Sequence, residues 1–140
     1  MFGPHLMLEL YGCDSKAIAS KELIFNVLDD LPTQIGMHKI SAPQILPYAG
    51  KPDSFDKGGI SAFVLIAESH ITVHTFKDQK YVTIDIFSCK EFNSDKAVEY
   101  LTKVFKPNKV EKQLIWRGRE FPHDIVKSTV IVRKERGKYN

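Results

Sequence analysis

The chain has 140 residues, of which 43% are hydrophobic and 26% are charged, so it is long enough for one domain with a substantial core. Its 20 basic and 17 acidic residues give a net charge of +3 and are mixed along most of the chain, which does not mark a nucleic-acid-binding protein. No apolar run approaches the roughly 20 residues of a membrane helix, and no signal peptide is evident. We expect a single-domain cytoplasmic protein that binds neither nucleic acid nor membrane.

The first elements are predicted from periodicity and helix signals. Alternation of apolar and polar residues at 5–11 predicts a half-buried strand. Asp14 or Ser15 can cap a helix with a partial apolar stripe that runs to about Leu31. Pro32 follows directly, and because proline breaks a helix interior we expect the helix to end there.

The central part of the chain is predicted to be rich in strands. The segment 34–40 is predicted as the second strand, and 42–59, which contains several prolines and glycines, as a long irregular loop. Loops of that length in compact domains are typically functional or disordered. Apolar runs at 60–67, 71–76 and 81–89 predict the third, fourth and fifth strands, joined by short polar turns.

The last part of the chain is predicted to form a helix and a strand. Asn93 or Ser94 can cap a helix whose apolar residues recur at helical spacing, and Pro107 stops it. The segment 110–117 is predicted as a strand, with a short further candidate at 129–132, and a basic stretch near the C-terminus reads as a solvated tail. Antiparallel strands with two helices predict an α+β two-layer sandwich, with both helices on one face of the sheet.

Period-two alternation sorts the strand side chains between two faces of this sheet. One face is aliphatic and is expected to lie under the helices. The other face collects the following residues: Glu9, Ser61, His74, Phe76, Asp85, Phe87 and Cys89. A face that mixes aromatic, histidine, cysteine and carboxylate side chains indicates an interface that contains a site. The alternative is a solvated face with scattered polar residues.

The turn between the third and fourth strands is unusual. It reads Glu68-Ser69-His70, where a tight hairpin prefers Asn-Gly or Asp-Gly. A simple turn serine is one explanation, and no G-x-S-x-G elbow indicates a hydrolase. The other is self-cleavage, in which the Ser69 hydroxyl attacks the Glu68 carbonyl, the resulting ester undergoes β-elimination, and the dehydroalanine hydrolyses to a pyruvoyl group. That step needs a strained peptide, a hydroxyl or oxyanion partner and a base, for which Ser61 and His74 are candidates.

Metal binding is a weaker hypothesis. His70, His74 and Cys89 could contribute ligands, but three ligands without a fourth or a familiar spacing are poor evidence for zinc, so we predict no metal. A buried hydrophobic role is the ordinary explanation for a cysteine. For Cys89 that explanation is weakened by its phase with Asp85 on the polar face, whereas it suits Cys13. A structural disulfide is not expected in the cytoplasm.

The stretch AESHITVHTF at 67–76, followed by IDIFSC at 84–89, resembles the prokaryotic S-adenosylmethionine decarboxylase proenzymes. The resemblance extends to GIS at 59–61 and to the first strand, and it covers roughly residues 5–120. The core E-S-H-x-T-x-H-T, with a cysteine 20 residues after the serine, is highly specific. The resemblance therefore covers the segments in which the candidate chemistry lies.

The resemblance implies self-cleavage between Glu68 and Ser69, which divides the chain into a β chain of 1–68 and an α chain of 69–140 that begins with the pyruvoyl group. It implies S-adenosylmethionine as substrate, in a Schiff base with the pyruvoyl carbonyl that acts as electron sink when CO₂ leaves. The product would supply the aminopropyl donor for spermidine synthesis. Two protomers are expected to pack sheet to sheet, as a dimer with the sites between them.

The resemblance also implies roles for individual residues. Ser69 matches the pyruvoyl precursor, His74 the processing base, Ser61 a serine that assists processing, and Cys89 the proton donor of the decarboxylation. A sulfonium substrate also calls for aromatic faces and a nearby carboxylate. Candidates of the right type are Glu9, Phe55, Phe76, Asp78, Asp85 and Phe87.

The resemblance weakens before the scissile turn. The loop at 46–58 is longer than in typical bacterial members, and Phe76 stands where tryptophan is frequent. The aromatic side chain that stacks on adenine could be Phe55, or be replaced near Ile45 or Tyr48. Because these loops choose the substrate, arginine or ornithine decarboxylation is an alternative. A further alternative is an uncleaved, non-catalytic homologue that acts as a binding or regulatory subunit, against which the complete set of processing and catalytic residue types argues.

Overall fold

The structure, a computed structural model, describes residues 2–120. In chain order these residues form β1 (Gly3–Tyr11), α1 (Ser15–Ala19), α2 (Lys21–Gln34), β2 (Gln44–Tyr48), β3 (Gly59–Ile66), β4 (Ser69–Phe76), β5 (Tyr81–Ser88), α3 (Ser94–Phe105) and β6 (Lys109–Arg117). The strands form one sheet in the order β2-β3-β4-β5-β1-β6, and every neighbouring pair is antiparallel. The strand predicted at 129–132 and the basic tail lie outside the described residues.

The helices pack on one face of the sheet, and the aliphatic side chains predicted for that face form the core. Fully buried members include Leu6, Leu8, Leu10, Val64, Ile71, Val73, Val82, Ile84 and Ile86 of the sheet and Leu28, Leu31, Leu101 and Phe105 of the helices. Burial of each large aliphatic side chain contributes about 1.5–3 kcal/mol. The predicted α+β two-layer sandwich is confirmed. Within residues 2–120, no helix has the length and apolar character needed to cross a membrane.

The first predicted helix is divided in two, so three helices rather than two cover the sheet. Ser20 has an extended conformation with φ −91° and ψ 108°, and its hydroxyl accepts a hydrogen bond from the Leu23 amide at 3.1 Å. Ser20 therefore ends α1 and caps α2. The prediction that Pro32 ends the helix was also wrong, because α2 continues to Gln34. Only two helical residues follow Pro32, and its carbonyl accepts from the Met37 amide at 2.8 Å.

The second strand lies at 44–48 rather than at 34–40, within the segment predicted to be an irregular loop. It is the edge strand of the sheet and contains Pro47, a residue that edge strands tolerate because one side of the strand needs no donors. Most of its side chains are exposed, so it lacks the alternation by which strands are recognised. Residues 38–40 contact the end of β3 through one isolated bridge, Lys39 to Ile66.

Candidate active site

The face of the sheet away from the helices carries the polar and aromatic side chains predicted for it. Two groups of residues lie at opposite ends of β4. We call the group around Glu68, Ser69 and His70 the Ser69 end, and the group around His74 and Phe76 the His74 end. The Ser69 end lies beside the end of β5 and His38, whereas the His74 end lies beside β3 and the loop that contains Phe55.

At the Ser69 end, the peptide bond before the serine is held by a hydrogen bond to its carbonyl. The Glu68 carbonyl accepts from the Cys89 amide at 2.9 Å, and Ser69 is paired with Ser88 in the β4–β5 register. The φ of Ser69, 157°, is close to the fully extended limit. An amide donor on the carbonyl favours attack by a hydroxyl, because negative charge develops on that oxygen.

His70 is the nearest candidate base to the Ser69 hydroxyl. Its Nδ1 lies 3.2 Å from the Ser69 Oγ. Burial lowers the pKa of His70, the charges of His5 and Arg117 lower it further, and Asp85 acts in the opposite direction. The imidazole is therefore neutral near pH 7 and can accept a proton from the hydroxyl. From the sequence, His70 was predicted only as a possible metal ligand, although its position next to the serine was a usable signal for a base.

The Glu68 side chain is held by a segment distant in sequence. Its two carboxylate oxygens lie 2.8 Å from His38 Nδ1 and 3.1 Å from the His38 amide. Burial opposes ionisation of Glu68, but the hydrogen bonds from His38 outweigh it and lower the pKa of the carboxyl. The His38 carbonyl accepts from Ala67 at 2.8 Å, and Ile40 donates to Leu65 at 3.0 Å. His38 was not predicted as a site residue, because nothing in the sequence indicates this contact across 30 positions.

At the His74 end, the two predicted processing residues meet. Ser61 faces His74 in the β3–β4 register, and its Oγ lies 3.0 Å from His74 Nδ1. The structure does not bring this pair to Ser69 within one protomer. His74 follows Ser69 by five residue steps of extended strand, a distance of about 16 Å at 3.3 Å per residue.

An aromatic row extends from the loop before β3 across the His74 end. The rings of Phe55 and Phe76 stack with centroids 6.3 Å apart, Phe76 and Tyr81 are 5.3 Å apart, and Tyr81 and Tyr11 are 5.3 Å apart. Phe55 is 76% exposed. The predicted aromatic candidates Phe55 and Phe76 are therefore adjacent, and one of them presents an open ring to a ligand.

The candidate carboxylates are unequally available. Glu9 accepts a hydrogen bond from the Tyr81 hydroxyl, and burial together with this bond raises the pKa of Tyr81 to about 12. Asp85 lies 2.8 Å from His5 Nε2. Asp78 is in the exposed turn between β4 and β5. Glu9 and Asp85 are thus engaged by neighbouring side chains, whereas Asp78 faces solvent.

Two buried hydroxyls fix the backbone next to the site residues. Thr75, 4% exposed, donates to the Ile18 carbonyl at 3.0 Å and accepts from the Ile60 amide at 2.9 Å. Ser88, fully buried, donates to the Lys90 carbonyl at 2.7 Å and accepts from the Lys90 amide at 2.9 Å. The first anchors the His74 end to helix α1, and the second anchors the bend that carries Cys89.

The cysteines occupy different environments. Cys13 is buried, which raises the pKa of its thiol to about 11, and Cys89 is exposed beside the Glu68 carbonyl. Both are free thiols. Among residues 2–120, no group of three or more His, Cys, Asp or Glu side chains is arranged to hold a metal ion. His70 and His74 lie about 13 Å apart along β4, too far to share one ion.

Residues 4–118 match the family model described as S-adenosylmethionine decarboxylase. An S-adenosylmethionine decarboxylase proenzyme from Picrophilus torridus is 32% identical over 88% of this chain and 89% of its own length. One from Clostridium botulinum is 36% identical over 84% of this chain and 95% of its own. The crystal structure of the adenosylmethionine decarboxylase from Aquifex aeolicus superposes with a TM-score of 0.69 and 28% identity, over 84% of this chain and 91% of that one. The chain therefore belongs to the S-adenosylmethionine decarboxylase family.

Proposed function

We propose that this chain is a self-processing decarboxylase of S-adenosylmethionine whose pyruvoyl group is made from Ser69. The observation that carries the proposal is the arrangement of the Glu68–Ser69 peptide. Its carbonyl accepts the Cys89 amide at 2.9 Å, and its serine hydroxyl lies 3.2 Å from a neutral His70. The relatives are named as decarboxylase proenzymes, a term that suits a chain activated by cleavage.

In the proposed cleavage, the Ser69 oxygen attacks the Glu68 carbonyl carbon and gives its proton to His70. The Cys89 amide stabilises the oxyanion that forms. His70 passes this proton to the Ser69 nitrogen as the carbon–nitrogen bond breaks, which leaves a free amine and an ester between Glu68 and Ser69. Loss of the Ser69 α-proton expels the Glu68 carboxylate and leaves dehydroalanine, which hydrolyses to the pyruvoyl group with release of ammonia. The β chain would comprise 1–68 and the α chain 69–140.

The proposed α-proton removal needs a second base, and the Ser61–His74 pair is the candidate. Because His74 is about 16 Å from Ser69 on the same strand, the pair would act on the partner protomer. Two protomers related by a two-fold axis, packed sheet to sheet, would place the His74 end of one against the Ser69 end of the other. The uncovered face, with Leu65 43% exposed and Phe55 76% exposed, supports a homodimer of this kind.

Once formed, the pyruvoyl group would supply an electron sink for the electrons left by CO₂. Side chains of the protein would bind the substrate and protonate its α-carbon. Cys89 lies beside the scissile peptide and is proposed to return a proton to the substrate α-carbon. Phe55 and Phe76 would offer aromatic faces to the adenine and the sulfonium, and Asp78 and Glu9 are the proposed polar contacts. The free thiols agree with a cytoplasmic location.

Mass spectrometry of the purified protein tests the class of enzyme. We expect the 16.0 kDa chain to yield two fragments that divide after Glu68, the second with an N-terminal carbonyl. The Ser69→Ala variant, which keeps the fold but lacks the nucleophile, should remain one species. A wild-type chain that stays intact after long incubation would favour the non-catalytic alternative and overturn the proposal.

Release of ¹⁴CO₂ from labelled S-adenosylmethionine, arginine and ornithine tests the substrate. We expect S-adenosylmethionine to be decarboxylated, and a preference for either of the other two would overturn that assignment. Cys89→Ala should still cleave, because the backbone amide remains, while its turnover falls by roughly 100-fold or more for want of the proton donor. Loss of cleavage in that variant would contradict the role of the thiol.

A further inference from the structure

A cleft at the Ser69 end of the open face contains none of the residues that react in the proposed cleavage. Its volume is about 290 Å³, and it is lined by Phe2, Phe87, Arg117 and Gly118. Phe87 lies in the floor, and the Arg117 guanidinium carbon is 4.1 Å from the centre of its ring. This is a cation–π contact, which fixes the guanidinium plane while leaving its N–H groups available.

The cleft adjoins the reactive peptide. The Phe87 ring is 5.8 Å from that of His70, whose Nδ1 is 3.2 Å from Ser69 Oγ. Arg117 pairs with Gly3 in the β1–β6 register, and a Cβ on Gly3 would lie 2.8 Å from the Cys89 Cα. The backbone at Gly3 therefore lies between Arg117 on one side and Cys89, the proposed proton donor, on the other.

Arg117 has a charge that no neighbour in the described part of the chain neutralises. Among residues 2–120 it forms no ion pair within 4 Å. Asp85, a carboxylate on the same face, is already 2.8 Å from His5 and accepts from Thr72 at 3.4 Å. A planar guanidinium with no ion-pair partner among residues 2–120, in a partly apolar cleft, is suited to bidentate binding of a carboxylate.

We propose that the Arg117–Phe87 cleft is the subsite for the carboxylate of the amino-acid substrate. The inference rests on the proposed decarboxylation, because that reaction requires a bound carboxylate next to Ser69. It also orients the substrate. The cationic sulfonium is repelled from Arg117, so the nucleoside half lies away from this cleft, toward the aromatic side chains that the partner's His74 end would bring.

The test compares ligands with and without a carboxylate on processed enzyme. Arg117→Ala should raise the KM for S-adenosylmethionine about tenfold or more, as expected for loss of a charge-assisted pair. The inhibition constants and calorimetric affinities of the substrate's methyl ester and of the decarboxylated product, which lack that charge, should change less than about twofold. In wild type the KM should rise with salt, and the variant should lose most of that dependence.

Arg117→Lys should recover part of the effect through its charge, and Arg119→Ala, two positions along, is the matched control with unchanged KM. If Arg117→Ala is poorly folded, Arg117→Gln, which keeps the length of the side chain, is measured instead. Equal weakening of all three ligands would show a structural role and overturn the subsite, as would an unchanged KM. If wild type itself neither cleaves nor releases CO₂, it is the proposed function that fails.

Discussion

In the proposed cleavage, the two ends of β4 carry different halves of one chemistry. The Ser69 end has the peptide proposed to break, an amide hydrogen-bonded to its carbonyl and a neutral imidazole beside its hydroxyl. The His74 end has an exposed histidine paired with Ser61 and a row of aromatic rings. An extended strand holds them about 16 Å apart. Ser69 and His74, although five positions apart in one motif, are therefore not partners within one site. In the proposed dimer, each end is completed by the other end of β4 in the partner protomer.

The sharpest test of this comparison mixes two inactive halves. Protein carrying His74→Ala has an intact Ser69 end, and protein carrying Ser69→Ala has an intact His74 end. When the two are unfolded, mixed and refolded together, we expect cleavage of about half of the His74→Ala chains, those that find the other variant as partner. Each variant alone should show almost none. The products are counted by mass spectrometry.

The control for the mixing experiment is the same mixture with the double variant Ser69→Ala, His74→Ala in place of Ser69→Ala. That mixture offers no intact His74 end, so the His74→Ala chains should stay whole. Cleavage in it, or an absence of cleavage in the first mixture despite dimer formation, would show that the two ends do not cooperate across an interface.

A second test separates the anchors of the two ends. Thr75→Val removes a buried hydroxyl that serves both an amide and a carbonyl, and we expect it to lower the free energy of unfolding by about 1–3 kcal/mol. Ser88→Ala removes the anchor of the bend before Cys89. Ser88→Ala should lower the free energy of unfolding by only about 1 kcal/mol, but it should slow cleavage more than Thr75→Val does. Urea unfolding of each variant in the Ser69→Ala background measures stability, and the cleavage rate of each variant with Ser69 intact measures processing. If Ser88→Ala cost more stability and Thr75→Val slowed cleavage more, the separate roles of the two anchors would be contradicted.

The smallest expected effect concerns the His38–Glu68 contact. The pKa of Glu68 is lowered in the folded chain, so its contribution to stability is complete above the ordinary pKa of a glutamate and is lost as the pH falls through the lowered value. We expect His38→Ala, in the Ser69→Ala background, to cost no more than about 1 kcal/mol at pH 7, because His38 is 75% exposed. The Tm difference between the two proteins should vanish in acid; a constant difference would assign the effect to packing.

Much of the fold follows from the sequence because the strands are half-buried. Alternation in β1, β4 and β5 separates the core face from the site face without ambiguity. Periodicity gave no signal for β2, an exposed edge strand with a proline, and the break at Ser20 is a local capping event inside an otherwise continuous stripe. Edge position and capping are decided by neighbours that a local pattern does not contain.

The site was predictable in its residue types but not in its geometry. The motif and the strand phase identified Ser69, His74, Ser61 and Cys89 as candidates. The structure pairs Ser61 with His74, a contact that was not predicted, and it places this pair away from Ser69 within one protomer. Their roles stay predictions. The contact of His38 with Glu68 could not be foreseen, since it depends on where a distant loop passes. The separation of the two ends was available from the rise of a strand alone.

The strand order has a consequence for a chain cut after Glu68. Strand β1 belongs to the first piece, yet it lies between β5 and β6 of the second, and β3 pairs with β4 across the cut. The two pieces are interleaved, so the nick frees neither. Folding would nevertheless change its molecularity: the precursor assembles this sheet from one chain, whereas the cut protein could regain it only by collision of two. The melting temperature of the cut protein would then rise with protein concentration. The cut protein, once unfolded, could not return to the single-chain folding of the precursor.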